Sequence, residues 1–89
     1  MLSKQQARKH VSESLQKAMA AKGVKQADLA RAIQTPQEEL QTARQRVYRY
    51  INALADVVAE DLANMAEYLG VSTDWILNNS HKKNSRRAG

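Results

Sequence analysis

The stretch from Arg46 to Leu77, RVYRYINALADVVAEDLANMAEYLGVSTDWIL, decides how this chain folds. It begins inside an Arg/Tyr-rich segment with no acid between Ala43 and Leu54. There Ala43, Val47, Ile51 and Leu54 recur at i, i+4, i+8 and i+11, an apolar stripe along one side of a helix. Arg44, Gln45, Arg46, Tyr48 and Arg49 are left pointing outward. A short link follows, and then Leu62, Met65, Ala66 and Leu69 repeat at helical spacing. Glu60 and Asp61 stand in the first turn, where acids suit the helix dipole, and Gly70 is the stop. Ser72 caps a last short helix from Thr73 to about Asn78, which holds the only tryptophan, Trp75. A short helix with basic side chains on one face, braced by small neighbours, suits insertion into a DNA major groove.

Upstream, Ser3 is positioned to cap a first helix running to about Lys22, with Gly23 as its end. Val11, Leu15, Ala18 and Met19 form its buried stripe, while Lys4, Arg8, Lys9, Lys17 and Lys22 occupy the other faces. A second helix spans about Gln26 to Ile33 and buries Leu29, Ala30 and Ile33. Ala30 is the small residue that lets two helices cross closely. Thr35-Pro36-Gln37-Glu38 then reads as a strong helix start: a Thr cap, Pro at the first helical position and Glu closing a capping box. From Pro36 nothing breaks a helix until about Ala55.

Taken together, Gln26-x-x-Leu29-Ala30, Tyr50-Ile51-Asn52, Leu62-x-x-Met65-Ala66-x-x-Leu69-Gly70-Val71-Ser72 and Asp74-Trp75-Ile76-Leu77 form a recognisable series. The series resembles the lambda-repressor-like helix-turn-helix family, the Cro and cI type of phage and bacterial regulators. The likeness covers roughly residues 15 to 79. It implies an all-α, compact bundle of five short helices, or six if residues 36–41 make one of their own. Residues 1–79 would be the DNA-binding domain, and 80–89 a basic, disordered tail.

The middle departs from the family, which usually has a Gly at the turn after the second helix where this chain has Gln34. About eight additional residues lie between the second helix and the Tyr-Ile-Asn segment, a little over two helical turns. They either form an extra turn or short helix, or lengthen the recognition helix at its N-terminus. Two registers compete. One starts the recognition helix at Thr35 and sets Glu38 and Glu39 near the phosphates, which is electrostatically poor. The other uses Ala43 to Asn52 and keeps Tyr-Ile-Asn at the family's distance from the next helix, and it is preferred.

In that register Arg44, Gln45, Arg46 and Arg49 are the candidate base readers. Arg grips guanine O6 and N7 with two donors, and Gln can pair with adenine N6 and N7. By resemblance Arg44, Gln45 and Arg49 fall where the family contacts bases. Gln26 matches a glutamine that bonds phosphate and braces the recognition helix, and Asn52 matches a further phosphate contact. Lys25 and the Tyr48 hydroxyl join them as phosphate partners; of Tyr48 and Tyr50, one is expected to pack inside. On the residues alone Trp75 and Ile76 read as core or dimer contacts, core being preferred. The resemblance also implies a symmetric homodimer on a palindromic operator, with Trp75, Ile76 and Leu77 as the dimer contact, and repression by occupying a promoter. The alternative is an antitoxin that binds a toxin protein and autoregulates its promoter. A helical adaptor that binds no DNA is a third reading.

Composition agrees with a small regulator. Eighty-nine residues allow one core, and with no phenylalanine it must be built from Leu, Ile, Val, Met and Ala. The chain has no cysteine, which removes thiol chemistry and Cys-ligated zinc. His10 and His81 lack the spacing of a metal site. No nucleophile-and-base pair and no Gly-rich phosphate loop stands out, so neither an enzyme nor a cofactor is expected. No run of residues is apolar enough for a membrane span, and MLSKQQARKHV lacks the apolar core of a secretory leader, so a cytoplasmic protein is expected.

The net charge of +5 is segregated. Residues 1–50 hold ten Lys/Arg against four acids, residues 51–80 hold five acids and no Lys/Arg, and the tail from His81 adds Lys82, Lys83, Arg86 and Arg87. Such a division suits one face turned to a polyanion, with the tail adding sequence-independent affinity for phosphate.

Overall fold

The computed structural model describes residues 4–78, so the expected Ser3 cap and the basic tail lie outside the described residues. Within them the small apolar residues are drawn into five helices: α1 (Lys4–Lys22), α2 (Gln26–Ile33), α3 (Leu40–Ile51), α4 (Ala59–Leu69) and α5 (Thr73–Asn78). The described residues contain no strand, and the fold is the expected all-α bundle. None of its helices is long and apolar enough to cross a membrane.

The stripes read from the sequence become the core. Val11, Leu15, Ala18 and Met19 of α1 are buried, as are Leu29, Ala30 and Ile33 of α2 and Leu62, Met65, Ala66 and Leu69 of α4. α2 packs against α3 and α4, and α1 against α3 and α5. Ala30 and Ala43 are wholly enclosed, small side chains that allow the helices to approach closely.

Two serines of α1 are buried as well, which the stripe did not foretell. The Ser12 hydroxyl donates to the Ile51 carbonyl, and the Gln16 side-chain amide donates to the same oxygen at 3.2 Å. The last carbonyls of a helix have no partner within it, so α1 supplies one and holds the end of α3 in place. The Ser14 hydroxyl is fully enclosed and meets no hydrogen-bond partner among the described residues.

The segment between α2 and α3 resolves the question of the additional residues. The Thr35 N–H donates to the Glu38 carboxylate at 2.8 Å and the Glu38 N–H donates back to the Thr35 carbonyl at 3.2 Å. The cap-Pro-Glu signal is therefore used, but it closes a single turn and no helix starts there. α3 begins at Leu40, three residues before the expected start, so the addition is part turn and part helix lengthening. There is no sixth helix among the described residues.

Three helices end alike. At Gly23, Ala53 and Gly70 the backbone enters the left-handed region, with φ of 69°, 58° and 74°. Each of these residues donates its N–H three residues back, to Ala20, Tyr50 and Glu67, and the following residue donates five back, to Met19, Arg49 and Ala66. This is the paired closure that ends many helices. It also corrects one expectation. Leu54 would continue the apolar stripe of α3 if the helix ran on, but the reversal at Ala53 throws it outward, 58% exposed.

The closing helix forms as the sequence reads. Ser72 Oγ accepts the Trp75 N–H at 3.0 Å, and Ile76 enters the core with no exposed surface.

Candidate nucleic-acid interface

Helical geometry sorts the α3 side chains into two faces. At roughly 100° per residue, Gln41, Arg44, Gln45, Tyr48 and Arg49 fall within about 140° of arc. All of them are exposed, while Ala43, Val47, Tyr50 and Ile51 on the far side are buried. Of the two tyrosines, Tyr50 is the one packed inside and Tyr48 stands outward. The exposed face meets the start of α2 in one shallow cleft, lined by Gln26, Gln41, Arg44, Gln45, Tyr48, Arg49 and Leu54. Three expected base readers, Arg44, Gln45 and Arg49, thus lie beside two expected phosphate partners, Gln26 and Tyr48. Among the described residues, neither Arg44 nor Arg49 has an ion-pair partner. Two guanidinium groups without ion-pair partners and three glutamine amides therefore line one exposed cleft. Gln41 belongs to the same face and was not among the expected residues; its position one turn before Gln45 is the signal that marks it.

Arg46 corrects the sequence reading. It lies at the border of the exposed arc and turns inward. Its Nε and Nη2 donate to the two carboxylate oxygens of Asp61 at 2.9 and 3.2 Å, and Nη2 also donates to the Ile33 carbonyl at 3.0 Å. Nη1 donates to Glu38. The Tyr50 hydroxyl donates to Asp61 at 2.5 Å. One guanidinium therefore joins the end of α2, the turn after it, α3 and the first turn of α4. Arg46 is a structural tie and is removed from the base readers.

Asp61, in the first turn of α4 where an acid suits the helix dipole, is only 5% exposed. A buried carboxylate is tolerable only when paired and hydrogen-bonded, and Arg46 and Tyr50 fulfil that need. The hydrogen bond from Arg46 holds the Glu38 carboxyl below the usual carboxylate range. Arg46 itself is raised above its ordinary value by Asp61 and then Glu38. Burial, and next the bond to Asp61, push the Tyr50 phenol up to about 12. Nothing in the sequence announces this cluster, because Arg46 and Asp61 are fifteen residues apart and on different helices.

The remaining candidates are divided. Lys25 and Asn52 are both exposed at helix ends. The Lys25 backbone N–H donates to the Asp28 carboxylate at 3.0 Å, leaving its ammonium outward. Asn52 donates through its side-chain amide to the Tyr48 carbonyl at 2.8 Å, so it also closes the end of α3. The expected dimer triplet is split: Ile76 takes the core place preferred for it and is removed from the dimer contact, Trp75 is partly covered, and Leu77 remains 40% exposed. Shortly after the end of α3, Asp56 accepts from Arg8 at 2.8 Å and lies 4.0 Å from Lys4, and its carboxyl is lowered by Arg8.

Among the described residues no group of three His, Cys, Asp or Glu is arranged to hold a metal ion. Compared with known proteins, the chain matches no family model, no curated protein and no solved structure.

Proposed function

We propose that the chain is a sequence-specific DNA-binding regulator of the lambda-repressor-like helix-turn-helix kind, acting in the cytoplasm as a repressor. α3 lies in the major groove of an operator, with Arg44, Gln45 and Arg49 turned to base edges. Gln26 at the head of α2, together with Lys25, Tyr48 and Asn52, grips the phosphates on either side. A homodimer on a palindrome follows from economy of information, since one helix reads too few base pairs to find a single site in a genome.

The observation that carries this reading is the contrast among the three arginines of α3. Arg46 is consumed by two carboxylates, whereas Arg44 and Arg49 share an exposed cleft with Gln26, Gln41 and Gln45 and have no described acid beside them. A merely solvated helix has no need to segregate its charges so completely.

Selection from a random duplex library tests it. Enrichment of an inverted repeat, bound far more tightly than scrambled duplex at the same salt concentration, is the expected result. Retention of all duplexes alike, or of none at low salt, overturns the proposal. A toxin protein that co-purifies with the chain and blocks binding would instead favour the antitoxin alternative.

A further inference from the structure

We propose that Leu54 is a specificity-determining residue that takes the 5-methyl group of a thymine beside the base read by Arg49. The inference rests on the DNA-binding reading above and deepens it. Its starting point is a comparison the molecule makes with itself. Of the three left-handed helix closures, two use glycine, and the apolar residue that follows each, Val24 or Val71, packs against the core. That is the usual fate of this position, because the reversal folds it back over the helix end. The third closure departs twice. It uses Ala53 at φ 58°, where an L side chain is strained, and its following residue, Leu54, is 58% exposed and packs on no core. Strain kept at one site points to a role for that site.

The place to which Leu54 is sent is polar. It joins Arg44, Gln45, Tyr48 and Arg49 in lining the cleft. Its N–H donates to the Arg49 carbonyl at 2.8 Å, which ties its position to that of Arg49. A large aliphatic group among base-reading side chains has one natural counterpart in a major groove. Thymine presents a methyl there, and no other base does. Arg49 then reads a guanine by hydrogen bonds, while Leu54 favours a neighbouring thymine by exclusion of water from the methyl.

The test uses a duplex selected from the random library and a series in which each thymine in turn is replaced by deoxyuridine, which removes the methyl and nothing else. The wild-type chain should lose roughly fourfold in affinity at one thymine per half-site, the worth of burying one methyl group. Leu54→Ala should bind the parent duplex more weakly, with unchanged thermal stability, and should be indifferent to deoxyuridine at that same position. Leu54→Met should restore part of the sensitivity. Independent losses from Leu54→Ala and from deoxyuridine at every thymine would overturn the inference, as would a deoxyuridine series without effect on the wild type. Failure to select any duplex would instead overturn the DNA-binding reading itself, and this inference with it.

Discussion

Fewer than two turns of α3 hold three arginines within six residues, and the structure gives them different work. Arg49→Ala or Gln45→Ala should weaken operator binding by roughly 1–3 kcal/mol while the melting temperature stays put. Arg46→Ala should do the opposite kind of damage. It strands the buried Asp61 without its guanidinium and should lower unfolding free energy by roughly 3 kcal/mol, read from urea denaturation. Equal loss of stability in all three variants would dissolve this division of labour. The same cluster sets an alkaline limit. The Tyr50 phenol is raised from an ordinary value near 10 to about 12. A folded value above the unfolded one means the contribution is complete below about pH 10 and is lost as pH climbs toward 12. Tyr50→Phe should therefore show a shallower decline in stability across that window than the wild type. At the acid end the sign reverses for Glu38, whose lowered carboxyl supports the fold above the usual carboxylate range and ceases to as it protonates.

Among the elements, α3 is the one whose end is least well suited to its own sequence. Ala53 adopts a conformation that glycine enters freely. Ala53→Gly should raise stability by about 1 kcal/mol, whereas Gly23→Ala and Gly70→Ala should lower it; calorimetry of the three variants decides. These helix ends also mark how far the sequence could be read. α2 has the expected bounds, and α4 and α5 follow from spacing, cap and stop, since local chemistry alone fixes them. The exposed face of α3 was legible for the same reason, as helical periodicity separates Arg44, Gln45 and Arg49 from Val47. Arg46 was not, because its direction depends on Asp61 and Glu38, and long-range partners leave no trace in local spacing. Leu54 departs from its stripe for a related cause: its periodicity places it inward only on a helix that continues, and one residue of left-handed backbone at Ala53 reverses it. The turn at Thr35-Pro36-Gln37-Glu38 carries every sign of a helix start, yet Glu38 is committed both to the Thr35 N–H and to Arg46.

At the scale of the whole molecule, the basic exposed face of α3 and the C-terminal helix α5 do not contact one another, and they can be tested apart. Ile76 is enclosed, so Ile76→Glu should prevent folding, whereas Leu77→Glu at a half-exposed site should leave a folded chain. If α5 joins two copies, Leu77→Glu should sediment as a monomer and bind its operator much more weakly, because the linkage between half-sites is lost. A wild-type chain that remains monomeric at tens of micromolar, free and on its operator, would remove the homodimer.

The packing of α1 against α5 has a consequence for the order of events in the cell. The first described helix is closed over by the last, and Ile76 completes the core from a position near the end of the described chain. During synthesis α3 is made before the α5 residues that complete the core. A released chain truncated at Gly70 would have the arginines of α3 and none of the enclosure on the α5 side. Such a chain should be digested readily by protease, and resistance should arrive abruptly in truncations long enough to include Ile76. If the chain binds DNA as proposed, competence to bind should arrive only once α5 is in place.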